Sequence, residues 1–197
     1  MAGEPVDGDG DGRIFLARHG QTVLNAEGRL RGLADPPLDE QGRAEVAALA
    51  VALASFGPRR ILSSPLQRAV ATAEAIGQRC GIPVEVEPRL TDRDYGKWTG
   101  SRRDEVIGLF GSVDAAPGVE DGEEVTRRVR EVLDEQRAHL VDGPVVLVAH
   151  DATNSRLLSA LHPDRPDPDT IGQRTACWNE LRRQGDRWTV VAADRRP

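Results

Sequence analysis

Apolar positions along this chain follow two different periods. Ile14-Phe15-Leu16-Ala17 and Val145-Val146-Leu147-Val148-Ala149 are unbroken apolar runs, too short for helices, and they read as strands buried on both faces. Arg60–Ser63 and Pro83–Glu87 read as two further short strands. A last pair, about 175–182 and 187–193, flanks Gln184-Gly185-Asp186, a hairpin turn signal. Between the strands the period becomes helical. From Asp39 to about Phe56, the residues Val46, Leu49, Ala50 and Leu53 fall on one face. Ser64-Pro65-Leu66-Gln67 offers an N-cap serine, a proline at the first helical position and a glutamine to close a capping box, and so predicts a helix running to about Arg79. Val125, Val129, Val132 and Leu133 mark an amphipathic helix over about Glu123–Leu140, and another covers about Thr153–Leu161. Residues 91–120 show no sustained period apart from a short helix near Asp104–Phe110; Pro117–Gly122 and His162–Pro168 read as loops.

Strand and helix alternating over most of the chain predict an α/β fold, a three-layer sandwich whose mainly parallel sheet carries helices on both faces. Residues 13–197 are expected to form it as one domain. Ligands of such sheets bind at the carboxyl ends of the strands. The two long apolar runs end there, one at Arg18-His19-Gly20 and the other at His150-Asp151. If the two strands are parallel, both imidazoles face one crevice.

Charge changes the picture little. The net charge is −6, and Glu4, Asp7, Asp9 and Asp11 carry four of the negative charges, so the body beyond residue 12 carries only −2. Residues 1–12 are expected to be a disordered acidic tail. A near-neutral body argues against nucleic acid as a partner while leaving room for a local basic pocket. Asp7-Gly8-Asp9-Gly10-Asp11-Gly12 resembles the start of a calcium loop, but the twelfth position, which needs a bidentate glutamate, is Arg18. Cys80 and Cys177 lie far apart, outside any paired metal-ligand spacing, and read as reduced packing residues. No metal and no cofactor is expected. With no leader-like or membrane-length apolar stretch, the expected location is cytoplasmic and no membrane partner is expected.

The motifs carry a resemblance. Arg18-His19-Gly20-Gln21-Thr22 with Asn25 and Arg29-Leu30-Arg31-Gly32 resembles the signature of the histidine phosphatase superfamily, which includes cofactor-dependent phosphoglycerate mutases and many phosphomonoesterases. Asp35–Gly42, Ser63–Ala69, Leu90–Gly96 and His150 resemble its later blocks in the same order, over about residues 13–193. The resemblance implies a phosphoglycerate mutase-like fold and a small phosphorylated metabolite as partner, and it leaves a homodimer open.

It also implies roles. A phosphate dianion needs a nucleophile, neutralising charge and a proton for the leaving oxygen. His19 would become phosphohistidine, and His150 would donate to a phosphate oxygen. Arg18 and Arg68 would grip phosphate oxygens through their guanidinium forks, with polar contacts from Thr22 and Asn25. Arg29 and Arg31 are read as shaping the entrance, Arg31 as a substrate contact. Many relatives carry a glutamate where this chain has Asp92, one methylene shorter, and Asp92 is expected to be the proton donor. Asp151 follows His150 where many relatives have glycine; that pair resembles the acid-phosphatase branch and makes Asp151 the alternative donor, or else an orienting carboxylate. The expected activity is phosphomonoester hydrolysis. A phosphoglycerate mutase and a non-catalytic phosphate-binding module are the alternatives.

Overall fold

The computed structural model describes residues 12–162, 164 and 166–197. The expected acidic tail, and all of the calcium-like stretch except Gly12, lie outside the described residues. Six strands form one sheet: β1 (Arg13–Arg18), β2 (Arg60–Ser63), β3 (Val84–Val86), β4 (Val145–Ala149), β5 (Trp178–Gln184) and β6 (Arg187–Arg195), in the spatial order β3-β2-β4-β1-β5-β6. The first four in that order are mutually parallel, and β5 and β6 add an antiparallel edge. The helices are α1 (Val23–Ala26), α2 (Glu40–Ala54), α3 (Gln67–Cys80), α4 (Arg103–Phe110), α5 (Gly122–Glu135) and α6 (Asp151–Leu161).

Alternation along the central strands explains the layers. Phe15 and Ala17 point to one face with Ile61, Val146 and Val148, against Leu49 and Leu53 of α2 and Ala69, Ala73 and Ile76 of α3. Ile14 and Leu16 point to the other with Val145 and Leu147, against Val129, Val132 and Leu133 of α5 and Leu157 and Leu158 of α6. Strands buried on both sides must be apolar at every position, which is why these runs are unbroken.

Beyond the sheet, Leu30, Tyr95, Val106, Val113 and Ala116 form a smaller core that gathers the irregular 91–120 region. The chain leaves β1 toward the α2 layer and leaves β4 toward α6 on the opposite face. Adjacent parallel strands whose connections part in this way open a crevice at their carboxyl ends. No described helix is long and apolar enough to cross a membrane.

Three boundaries differ from the pattern by three residues or more. The helix expected to open at Ser64 starts at Gln67 with Leu66 as N-cap, and the capping box does not form. Asp35 does the capping from a distant loop: its carboxylate accepts the Gln67 N–H at 2.8 Å and its carbonyl accepts the Gln67 side-chain amide. The helix after residue 122 stops at Glu135, and a 3-10 turn, Gln136–His139, follows. β5 begins at Trp178 instead of about 175, because Ala176 sits at φ +52° and cannot extend the strand.

Candidate active site

The register sets the site. Arg18 pairs with Ala149 across β1 and β4, and Ser63 pairs with Val148 across β2 and β4. The next residues, His19, His150 and Ser64, therefore leave three adjacent strand ends together. The His19 N–H donates to the Ala149 carbonyl at 3.2 Å, and the two imidazole rings lie 5.1 Å apart. Gly20 is required here: a Cβ would come within 2.6 Å of the Gly42 carbonyl oxygen and 2.7 Å of a Val46 methyl.

His19 is fully buried. Its Nδ1 lies 2.6 Å from the Gly20 carbonyl oxygen, an acceptor, so Nδ1 carries the proton and donates it. Nε2 is left with its lone pair, facing Arg68, whose Nε donates to it at 3.2 Å. Burial, then the neighbouring His150, Arg68 and Arg18, push the His19 pKa well below the usual imidazole value, so the ring is neutral and nucleophilic at neutral pH. Burial and the surrounding arginines do the same to His150. Its Nε2 meets the Ser64 hydroxyl at 2.7 Å, while Nδ1 has no hydrogen-bond partner and lies 3.9 Å from Asp92 Oδ2.

Arg68 is a fully buried side chain from the first turn of α3. Besides His19 it donates to the carbonyls of Ala34 at 2.6 Å and Gly32 at 2.9 Å, and to Asp92 Oδ2 at 3.0 Å. The other oxygen of Asp92 accepts the Arg93 N–H at 2.9 Å. Arg18 donates through Nη1 to the Gln173 carbonyl, and its Nε has no partner. Arg31, nearly buried, donates to the Arg29 carbonyl at 3.1 Å; its Nε is also without a partner. Arg18 and Arg31 each approach Asp151 Oδ2 at 3.5 Å. Burial without complete partners costs a cation dearly. The unpartnered Arg18 Nε, Arg31 Nε and His150 Nδ1 fit a site made for an anion.

Arg18, His19, Arg31, Arg68, Asp92, His150 and Asp151 are joined by the contacts described above, whereas Thr22 and Asn25 hydrogen-bond to each other. Thr22 spends both its hydroxyl and its N–H on Asn25 Oδ1, at 2.7 and 3.1 Å, at the start of α1. Asn25 keeps a buried Nδ2 with no partner. Arg29 holds Glu27 at 2.6 Å and the Gly100 carbonyl at 2.8 Å, which makes it a brace for the entrance loop. Sequence reasoning placed Ser64 as a helix cap and missed its contact with His150. It also missed the Gln173 carbonyl that receives Arg18, a main-chain group with no side-chain signature. The entrance is a cleft of about 80 Å³ lined by Leu30, Arg31, Tyr95, Arg103, Asp151 and Ser155. A cleft of about 510 Å³ between α6 and the β5–β6 turn is larger but lies against none of these groups. Among the described residues, no three His, Cys, Asp or Glu side chains gather as a metal-binding set.

Comparison with known proteins identifies the family. A family model described as histidine phosphatase superfamily, branch 1, matches residues 14–195. Glucosyl-3-phosphoglycerate phosphatase of Mycolicibacterium vanbaalenii is 35% identical over 193 residues, spanning 86% of this chain and 83% of that protein. A solved mycobacterial glucosyl-3-phosphoglycerate phosphatase in complex with VO3 superimposes with a TM-score of 0.84 at 31% identity, covering 92% of this chain and 98% of that one. A probable phosphoglycerate mutase of Cronobacter sakazakii is 40% identical over 84 residues, but these cover only 43% of this chain and 39% of that protein. This chain belongs to the histidine phosphatase superfamily and is a phosphatase of it.

Proposed function

We propose that this protein hydrolyses a small phosphorylated sugar acid, of the glycosylated phosphoglycerate type, through a phosphohistidine formed on His19. The observation that carries the proposal is the state of the His19 ring: Nδ1–H fixed on the Gly20 carbonyl at 2.6 Å, and an unprotonated Nε2 whose lone pair is held only by the Arg68 Nε donor at 3.2 Å. An imidazole nitrogen in that tautomer needs no base to remove a proton before it attacks phosphorus.

Arg18, Arg68 and His150 surround the phosphoryl group in this reading, and Arg31 and the Asn25 amide complete the cradle. Charge spread over the transferring oxygens then meets preorganised donors in a dry site. Asp92 delivers the proton to the leaving oxygen. An incoming phosphate dianion competes with Asp92 for the Arg68 fork and frees the carboxyl to face the leaving oxygen. Water then attacks the phosphohistidine, giving a proton to the Asp92 carboxylate as the P–O bond forms and the bond to His19 Nε2 breaks, which releases inorganic phosphate and restores both groups. Asp151, tied to Arg18 and Arg31, orients those two cations at the mouth.

The test is to quench turnover of a 32P-labelled monoester and recover acid-labile, base-stable phosphate on His19. Label on a serine, or none during rapid turnover, rejects the nucleophile. The 84-residue match to a probable mutase makes one control necessary. Incubation with 3-phosphoglycerate and a bisphosphoglycerate primer is expected to release inorganic phosphate without net mutase product.

A further inference from the structure

The stretch that carries Asp92 has little regular structure of its own. Pro88–Leu90 is one 3-10 turn, and irregular chain follows as far as Tyr95. Buried carbonyls in such a stretch need donors from elsewhere, and a single side chain on the inward face of α5 supplies three of them. Arg128 donates through Nη1 to the carbonyls of Arg89 at 2.5 Å and Thr91 at 2.8 Å, and through Nη2 to that of Asp92 at 3.2 Å. Thr153 of α6 adds its hydroxyl to the Thr91 carbonyl at 3.1 Å.

Glu120 braces the arrangement. Its Oε1 accepts Arg128 Nε at 3.2 Å and its Oε2 accepts the Asp94 N–H at 2.9 Å. Its own N–H donates to the Asp94 carbonyl at 2.8 Å, and its carbonyl takes Arg93 Nε at 2.8 Å. The Arg128 bond to Asp92 reaches the main-chain carbonyl, so the side-chain carboxylate stays available to Arg68 and the substrate.

We propose that Arg128, braced by Glu120, is the positioning residue that sets the reach of Asp92. The inference rests on the reading of Asp92 as proton donor. An aspartate carries its carboxyl on a single methylene, so its backbone must be held where a short side chain suffices. Misplacement of a reacting group by about 1 Å costs on the order of 10²-fold in rate. A guanidinium suits the task because its planar fork presents several donors in fixed directions, whereas an ammonium is a compact point charge on a flexible stem.

The experiment measures kcat/KM for Arg128→Gln and Arg128→Lys on glycerol phosphate, whose alkoxide leaving group needs a proton, and on p-nitrophenyl phosphate, whose leaving group does not. Asp92→Asn is measured in parallel. The expected result for Arg128→Gln is a loss on glycerol phosphate about 10-fold or more greater than on p-nitrophenyl phosphate, with inhibition by inorganic phosphate unchanged and partial recovery in Arg128→Lys. Equal losses on the two substrates make Arg128 a stabilising residue only and overturn the proposal. If Arg128→Gln does not fold, Glu120→Gln decides in its place: a smaller loss skewed to glycerol phosphate supports the clamp, and a substrate-independent loss overturns it. If Asp92→Asn itself lacks the skew, the donor reading falls and the clamp falls with it. If Asp92→Asn has the skew and Arg128→Gln lacks it, only the clamp falls.

Discussion

Asp92 and Asp151 are both carboxylates facing arginines in one site, yet they belong to different regions of it. Asp92 lies on the floor, fully buried, 3.0 Å from Arg68 and tied to the Arg93 N–H. Asp151 lies at the mouth, its side chain 40% exposed, with two arginines at 3.5 Å. Water explains the difference. A buried charge must have near partners or it neutralises or unfolds the site, whereas a charge in reach of solvent tolerates long pairings of little energy. The floor therefore has fixed geometry and suits bond making and breaking. The mouth can adjust its pairings to the group attached to the phosphate.

The contrast is easiest to break at the floor. His19→Ala is expected to lower phosphatase turnover by on the order of 10⁴-fold or more while leaving the fold intact. Near-UV circular dichroism with a turnover assay checks it, and wild-type-like activity would falsify the floor as the reaction site. Arg68→Ala is expected to weaken inhibition by vanadate by at least about 10-fold, since charge-assisted hydrogen bonds are each worth roughly 1.5–3 kcal/mol. It also leaves Asp92 as a buried carboxylate without its cation, which costs about 3 kcal/mol or more in stability. The double variant Arg68→Ala/Asp92→Asn should recover part of the stability and none of the vanadate affinity. Unchanged inhibition constants would mean that Arg68 only supports the fold.

Asp92→Asn is expected to slow alkyl phosphate hydrolysis by about 10²-fold, the lower range for loss of a general acid, and to slow nitrophenyl phosphate hydrolysis far less. Leaving-group dependence appearing with Asp151 instead would reverse the two roles.

The floor histidines also predict a pH dependence. Both pKa values are depressed by burial and nearby cations, so the folded protein binds protons less readily there than the unfolded chain, whose imidazoles titrate near 6.5. Their contribution to stability is fully present above about pH 6.5 and is lost as pH falls from there toward the depressed folded values, at up to about 1.4 kcal/mol per pH unit for each histidine. Urea unfolding between pH 7 and pH 5 measures it. The loss should shrink in His150→Gln, and a pH-independent midpoint would contradict a neutral buried pair. At the mouth, Asp151→Asn is expected to reduce kcat/KM by no more than about fivefold and equally for both substrate classes, because an exposed ion pair is worth about 1 kcal/mol or less.

Which parts were legible in the sequence depended on how local the governing force is. Val46, Leu49, Ala50 and Leu53 lie on the buried face of α2, and Val125, Val129, Val132 and Leu133 on that of α5, where their spacing put them. The two innermost strands, β1 and β4, were equally plain, because a strand covered on both sides has to be apolar throughout. The Ser64 cap failed for the opposite reason. A serine followed by proline and glutamine is a sound local signal, but His150 arrives from β4 to share the Ser64 hydroxyl, and Asp35 arrives from another loop to cap α3. Long-range partners outcompeted the local box.

The sequence by itself determined the layers of this protein, the two strand ends that carry His19 and His150, and the arginines and carboxylates available to a phosphate, because periodicity and residue type suffice for these. The tertiary structure decided which tautomer His19 holds, that Arg68 joins it to Asp92, and that Asp151 stands at the mouth. It also decided that Gln173 receives Arg18 and Arg128 fixes the chain behind Asp92. Those choices depend on hydrogen bonds between residues distant in sequence, and a main-chain carbonyl leaves no mark on the residue that bears it. Burial then gives each of these bonds its weight, and burial follows from how the layers close over the strand ends.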